Sequence, residues 1–263
     1  MPHAVNDGVR IRYEVEGSGP PLVLHTGFIG ALEDWYDAGY VAALRDDYRL
    51  ILLDPRGQGQ SDKPHDVAAY AREERVGDVR AVLDAAGVEQ AHFWGYSMGG
   101  VIGFALGVLA PDRATSLILG GASPYAREQV VENHPLYQGL QLGMAAMVAA
   151  FEQDDPNFWI SADERARWLA ADAEALTAAL RAGFSYPSLA DALPALHVPA
   201  LIYCGTNDDP DPKARSADEL PDATFVAIAG LDHAAGFYRR DLALPHVTTF
   251  LARLLQAPTF ASS

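Results

Sequence analysis

Short apolar runs alternate with longer amphipathic stretches along most of this chain. Val9 to Val15 alternates apolar and polar residues with the period of two expected of a half-buried strand. Pro21 to Leu24, Leu50 to Leu53, Ala91 to Trp94, Ser116 to Leu119, Ala200 to Tyr203 and Thr224 to Ile228 are brief β-type runs that suit strands covered on both faces. Helical patterns fill the gaps at Leu32 to Arg45, Ala68 to Ala86, Val101 to Leu109, Pro212 to Leu220 and Leu242 to Leu255. Strands alternating with helices predict an α/β fold, a mostly parallel central sheet with helices on both faces.

The interval from Pro124 to Pro194 breaks this alternation. It holds Ala-rich helical stretches, Leu140 to Phe151, Ala162 to Ala171 and Ala173 to Ala182, and no convincing strand. It therefore reads as a helical cap, residues 124–194, inserted into a core of residues 1–123 and 195–263. Its aromatics, Tyr137, Phe151, Phe158, Trp159, Trp168, Phe184 and Tyr186, serve helix packing first, but a cap over a site must present some of them to it.

Composition narrows the function classes. With 263 residues, 49% hydrophobic and 21% charged, the chain can bury a full core and is not a disordered tail. Its formal charge of −16 repels nucleic acid and anionic membranes. The single cysteine, Cys204, continues an apolar run and reads as a buried hydrophobe. No apolar span reaches membrane length, and no basic segment followed by a hydrophobic one opens the chain, so a soluble cytoplasmic protein is expected.

The chemistry is concentrated at Gly95-Tyr96-Ser97-Met98-Gly99, where a strand run meets a helical one. A serine at a sharp strand-to-helix turn is lifted clear of the sheet, and the helix N-terminus behind it favours developing negative charge. A serine nucleophile needs a base, and the base needs an orienting carboxylate. His233 follows the strand Thr224 to Ile228 in a loop at the sheet's C-terminal side, where parallel sheets build their ligand sites. His246 falls in a helical pattern, and His3, His65, His134 and His197 lie in turns or near proline, where solvated roles are the default. The carboxylate should come from the loop after Ala200 to Tyr203. Asp208 is preferred there over its chemically equivalent neighbour Asp209, with Asp211 left to cap the next helix and Asp232 to brace a loop.

The order Ser97, Asp208, His233 resembles that of the α/β-hydrolase superfamily, in particular its members with a small helical cap, and the likeness runs from Val9 to Leu255. Asp54-Pro55-Arg56-Gly57-Gln58-Gly59-Gln60-Ser61 is similar to the family's Asp-x-Arg-Gly-x-Gly-x-Ser turn, which implies loop bracing near the site and not a phosphate cradle. The resemblance also implies an oxyanion hole made by the backbone N–H groups of Met98, directly after the nucleophile, and of Phe28, in His25-Thr26-Gly27-Phe28. Thr26 stands where the family usually has histidine, with His25 one position early. A backbone donor survives that change.

These features predict a serine hydrolase needing neither metal nor cofactor, acting on small or medium uncharged carboxylic esters. Ser97, Asp208 and His233 are its catalytic residues; Trp159, Trp168 and Tyr96 are its candidate substrate-contacting aromatics. A lactonase or C–C bond hydrolase would use the same residues, and a ligand receptor with residual hydrolysis is the reading from another class. Haloalkane dehalogenation is disfavoured because it needs a carboxylate where Ser97 stands. The cap's apolar faces predict an enclosure with few charged anchors, and hence faster cleavage of neutral esters than of dicarboxylate monoesters.

Overall fold

A computed structural model describes residues 2–154 and 160–256 of the chain. Its strands are β1 (His3–Asn6), β2 (Val9–Glu16), β3 (Pro21–His25), β4 (Arg49–Leu53), β5 (Ala91–Tyr96), β6 (Ala114–Gly120), β7 (Ala200–Gly205) and β8 (Ala223–Ile228). They form one eight-stranded sheet in the order β1-β2-β4-β3-β5-β6-β7-β8. The β1–β2 and β2–β4 pairs are antiparallel and all others parallel.

Alternate residues of each central strand enter different cores, as the two-residue period requires. Val23, Ile51, Phe93, Leu117, Leu119 and Ile202 belong to one apolar layer. Their neighbours Leu22, Leu24, Leu50, Leu52, Trp94, Ile118 and Leu201 belong to the other. Helices α1 (Glu33–Asp37), α2 (Tyr40–Leu44), α3 (Arg72–Ala85) and α4 (Met98–Leu109) precede the interval between β6 and β7. The first layer is completed by α3 and α4, through residues such as Val79, Val82, Ile102 and Phe104. The second is completed by Trp35 and Tyr40 and by Val247 and Leu251 of the C-terminal helix.

Between β6 and β7 lie α5 (Pro135–Gln141), α6 (Met144–Asp154), α7 (Ala162–Leu169) and α8 (Ala173–Phe184), with no strand among the described residues. Leu140, Met147, Leu176 and Leu180 close a third, small core against Ile29. After β7 come α9 (Pro210–Asp218), α10 (Ala235–Tyr238) and α11 (Arg240–Gln256). Cys204 is buried and unpaired, and burial pushes its thiol pKa up to about 11. Among the described residues no helix is long and apolar enough to cross a membrane.

The structure departs from the sequence pattern where glycine or tertiary pairing decides. The run Leu32 to Arg45 is two helices, because Gly39 turns the chain at φ +77°. Leu140 to Phe151 is likewise split between α5 and α6, at Gly143 (φ +89°). The run from Ala68 begins as a 3₁₀ turn, Val67–Tyr70, before α3 starts at Arg72. Strand β1 has no readable pattern of its own, since only Ala4 is buried. It exists through its pairing with β2 and through Asn6, whose amide donates to the Glu74 carbonyl (2.9 Å) and to Asp78 (3.0 Å).

Candidate active site

Strand β5 ends at Tyr96 and α4 begins at Met98, which leaves Ser97 alone to make the turn, at φ +54° and ψ −116°. This is strained backbone for an L-residue. The flanking glycines permit it: a Cβ on Gly95 would lie 2.2 Å from the Gly99 carbonyl oxygen, and one on Gly99 would lie 2.3 Å from that of His25. The Ser97 N–H donates to the Gly120 carbonyl at 2.8 Å, fixing the turn to β6.

His233, in the loop after β8, has Nε2 2.9 Å from Ser97 Oγ and Nδ1 2.9 Å from Asp208 Oδ1. A carboxylate only accepts, so Nδ1 carries the proton and Nε2 is left free to accept one from the serine. Asp208 is nearly buried, and Lys213 Nζ approaches the same Oδ1 at 3.4 Å while bonding the Asp208 and Asp209 carbonyls. Asp209 is exposed, at φ +42°, and takes no part in this relay. Asp232 accepts from the Ala235 N–H (2.8 Å) and so braces α10.

The Phe28 and Met98 N–H groups have no hydrogen-bond partner among the described residues. The loop carrying Phe28 lies against Ser97, since a Cβ on Gly27 would sit 3.3 Å from Ser97 Cβ. Gln58 holds that loop: its Oε1 accepts from the Ile29 N–H and its Nε2 donates to the Gly27 carbonyl (3.2 Å). Asp54 accepts from the Leu32 N–H (2.8 Å) and Gln60 N–H (2.7 Å), and Arg56 is forked onto Asp78 at 2.6 Å. The turn 54–61 thus braces loops, and Gln58 is the member whose specific task the sequence concealed.

His25 is buried, and its Nδ1 lies 2.9 Å from the Thr26 carbonyl. Burial, followed by the nearby positive charge of Arg75, pulls its pKa down to about 4. The folded protein therefore holds His25 neutral, whereas the unfolded chain protonates near 6.5. Stability from this group is complete above about pH 6.5 and is lost as pH falls toward 4, up to about 3 kcal/mol. Urea unfolding of wild type and His25→Gln should show the wild-type advantage shrinking by roughly 2 kcal/mol between about pH 7.5 and pH 4.5. A pH-independent difference would contradict the buried neutral imidazole.

Two cavities meet at Ser97 and His233. One, of about 460 Å³, is walled by Phe28, Ile29, Met147, Phe151, Trp168 and Phe237. Its carboxyl groups are those of Asp34 and Glu164, both with pKa raised, most strongly by burial, Asp34 to about 7. Arg167 reaches Asp34 at 3.0 Å, and the Tyr238 hydroxyl donates to Glu164. Trp168 lies on this wall. Tyr96 does too, but it is buried and its hydroxyl donates to the His233 carbonyl (2.6 Å), so it supports the histidine as well as facing the cavity. Trp159 lies outside the described residues, as does Phe158. His134, expected to be solvated, instead borders both cavities, with its ring edge-on to Phe184 at 5.0 Å.

The second cavity, of about 610 Å³, corrects the expectation of few charged anchors. Arg72, Arg75, Arg127 and Lys213 line it together with Met98, Ser97 and His233. The signal was present in the sequence: Arg72 and Arg75 precede Val76, Val79, Val82 and Leu83 at helical spacing, on the inward face of α3.

A family model described as alpha/beta hydrolase fold matches residues 20–239. The chain belongs to the alpha/beta hydrolase family. Within it, the non-heme chloroperoxidase of Streptomyces lividans is 31% identical over 256 residues, covering 87% of this chain and 91% of that protein. Epoxide hydrolase B of Mycobacterium tuberculosis is 36% identical over 131 residues, 49% of this chain and 34% of that protein. The chain spans less than half the length of several curated relatives it matches. Among solved structures, the enol-lactonase from Burkholderia xenovorans LB400 superposes with a TM-score of 0.82 at 26% identity, covering 95% of this chain and 100% of that one.

Proposed function

We propose that this alpha/beta hydrolase cleaves carboxylic esters through an acyl-enzyme on Ser97. The observation that carries the reading is the unbroken relay from Ser97 Oγ through His233 to Asp208, each link 2.9 Å. Ser97 Oγ attacks the ester carbonyl as His233 Nε2 takes its proton, and Asp208 balances the imidazolium. The N–H groups of Phe28 and Met98 hold the oxyanion. Collapse expels the alcohol, which leaves with the proton from His233. A water activated by the same nitrogen then frees the acid and restores the serine. Residues 124–194 act as the cap, with Trp168 against the substrate's apolar portion.

The likeness to an enol-lactonase favours a second reading, a cyclic ester as substrate. A chain-length series of p-nitrophenyl esters, run beside lactones and a β-diketone, separates the possibilities. Turnover of open esters, with a pre-steady-state burst of about one equivalent, is expected. A lactone preferred over all of them would select the second reading. Preference for the diketone over every ester, or binding without turnover, would overturn both.

A further inference from the structure

The buried arginines of this protein divide into two kinds. Arg12 meets Glu14 and Glu33 at 2.6 Å and Asp54 at 3.2 Å, and Arg56 meets Asp78 at 2.6 Å. Arg72 and Arg75 are as deeply buried, 6% and 4% exposed. Among the described residues neither has a carboxylate within salt-bridge distance. Their other partners are weaker. Arg75 touches Met98 Sδ (2.7 Å) and the Ala179 carbonyl (3.5 Å), and Arg72 donates to the Pro187 carbonyl (2.5 Å). The rings of Tyr70 and Tyr186 lie 5.3 and 4.8 Å from the two guanidinium carbons. The Nε atoms of both, like that of Arg12, are buried without a hydrogen-bond partner among the described residues.

Taking a guanidinium out of water without a counter-charge is strongly unfavourable. A protein of net charge −16 has acids to spare for neutralising such groups. Here two stand side by side with no ion pair among the described residues, on the wall of a cavity that opens on Ser97 and His233. Acids do lie nearby: Glu73 acts on Arg72 and Asp78 on Arg75 only through space, Asp78 being forked onto Arg56. Of the two carboxylates on the cavity wall, Asp208 is committed to His233 and Lys213, and Asp209 is exposed and pairs with neither arginine.

We propose that Arg72 and Arg75 form the receiving site for a carboxylate carried by the substrate, in the cavity on the Met98 side of Ser97. The enzyme's substrate is then an ester or lactone bearing a free carboxylate, with its apolar portion in the cavity lined by Met147, Phe151 and Trp168. This rests on the ester-cleaving reading, and it reverses the preference for neutral esters that the cap composition alone predicts. A planar monoanion suits the guanidinium fork, and its charge supplies what the two side chains lack.

The test compares kcat/KM for p-nitrophenyl butyrate, p-nitrophenyl hydrogen glutarate and 4-butyryloxybenzoate, which place the carboxylate nowhere, on the acyl part or on the alcohol part. Wild type should favour one anionic ester over the butyrate by roughly tenfold or more, through a lower KM. In Arg75→Gln and Arg72→Gln that ratio should fall below one, and Arg75→Lys, which keeps charge but not the fork, should fall between. Glutarate should raise the melting temperature of wild type and not of Arg75→Gln. Equal ratios in wild type and both Gln variants would overturn the carboxylate site while leaving ester cleavage standing. If no ester is turned over, the ester reading fails, and the glutarate shift alone decides the anion site. A shift with inorganic phosphate but not glutarate would overturn the carboxylate assignment.

Discussion

Ser97→Ala and His233→Ala should each lower ester turnover by several orders of magnitude, roughly 10³-fold or more, with the fold retained. The reasoning starts from the elbow. Ser97 Oγ has His233 as its hydrogen-bond partner, and the backbone turn is held by the Ser97 N–H on Gly120 and by the close approach of Gly95 and Gly99. Alanine removes the attacking oxygen without touching those supports. His233 is half exposed in its loop, so its truncation costs little packing and removes the proton acceptor. Because nucleophile and base act as a unit, the double variant should be scarcely worse than either single one. Steady-state rates with circular dichroism and melting curves check this. An organophosphonate should form one adduct, found by peptide mapping at Ser97; an adduct elsewhere, or wild-type rates in either variant, would remove Ser97 from its proposed role.

What the sequence disclosed, and what it hid, follows from the range of the forces involved. The central strands were legible because each is a β-type run of apolar residues, and sheet pleating then sends neighbours such as Leu22 and Val23 to opposite cores. The elbow was legible because its steric demand falls on residues two positions either side of Ser97, within one short motif. Gln58 was not, since its task is to hold Ile29, at φ +70°, and nothing local marks a β-branched residue for that backbone. Arg72 and Arg75 were visible as charges on an inward helical face, yet only the folded chain shows that no carboxylate among the described residues forms an ion pair with them. Composition of residues 124–194 pointed to an apolar enclosure. It could not reveal that a second cavity at Ser97 is walled by α3, which lies outside that interval.

Asp208→Asn should lower kcat by roughly 100-fold or more, whereas Asp209→Asn should change it by less than about threefold. The two carboxylates are adjacent in sequence and chemically alike, so geometry separates them. Asp208 Oδ1 is 2.9 Å from His233 Nδ1, while Asp209 is exposed at the start of α9. An amide at 208 can turn its NH₂ toward Nδ1, placing the imidazole proton on Nε2, where it blocks acceptance from Ser97, and it no longer balances the imidazolium. The same change leaves Lys213, largely buried and 3.4 Å from Oδ1, without its counter-charge. A stability loss of about 1 to 3 kcal/mol should therefore accompany the rate loss at 208 and be absent at 209. Rates measured well below the melting temperature keep the two effects apart. Equal, small rate losses at both positions would refute Asp208 as the orienting acid, and a large loss at 209 alone would move that role by one residue.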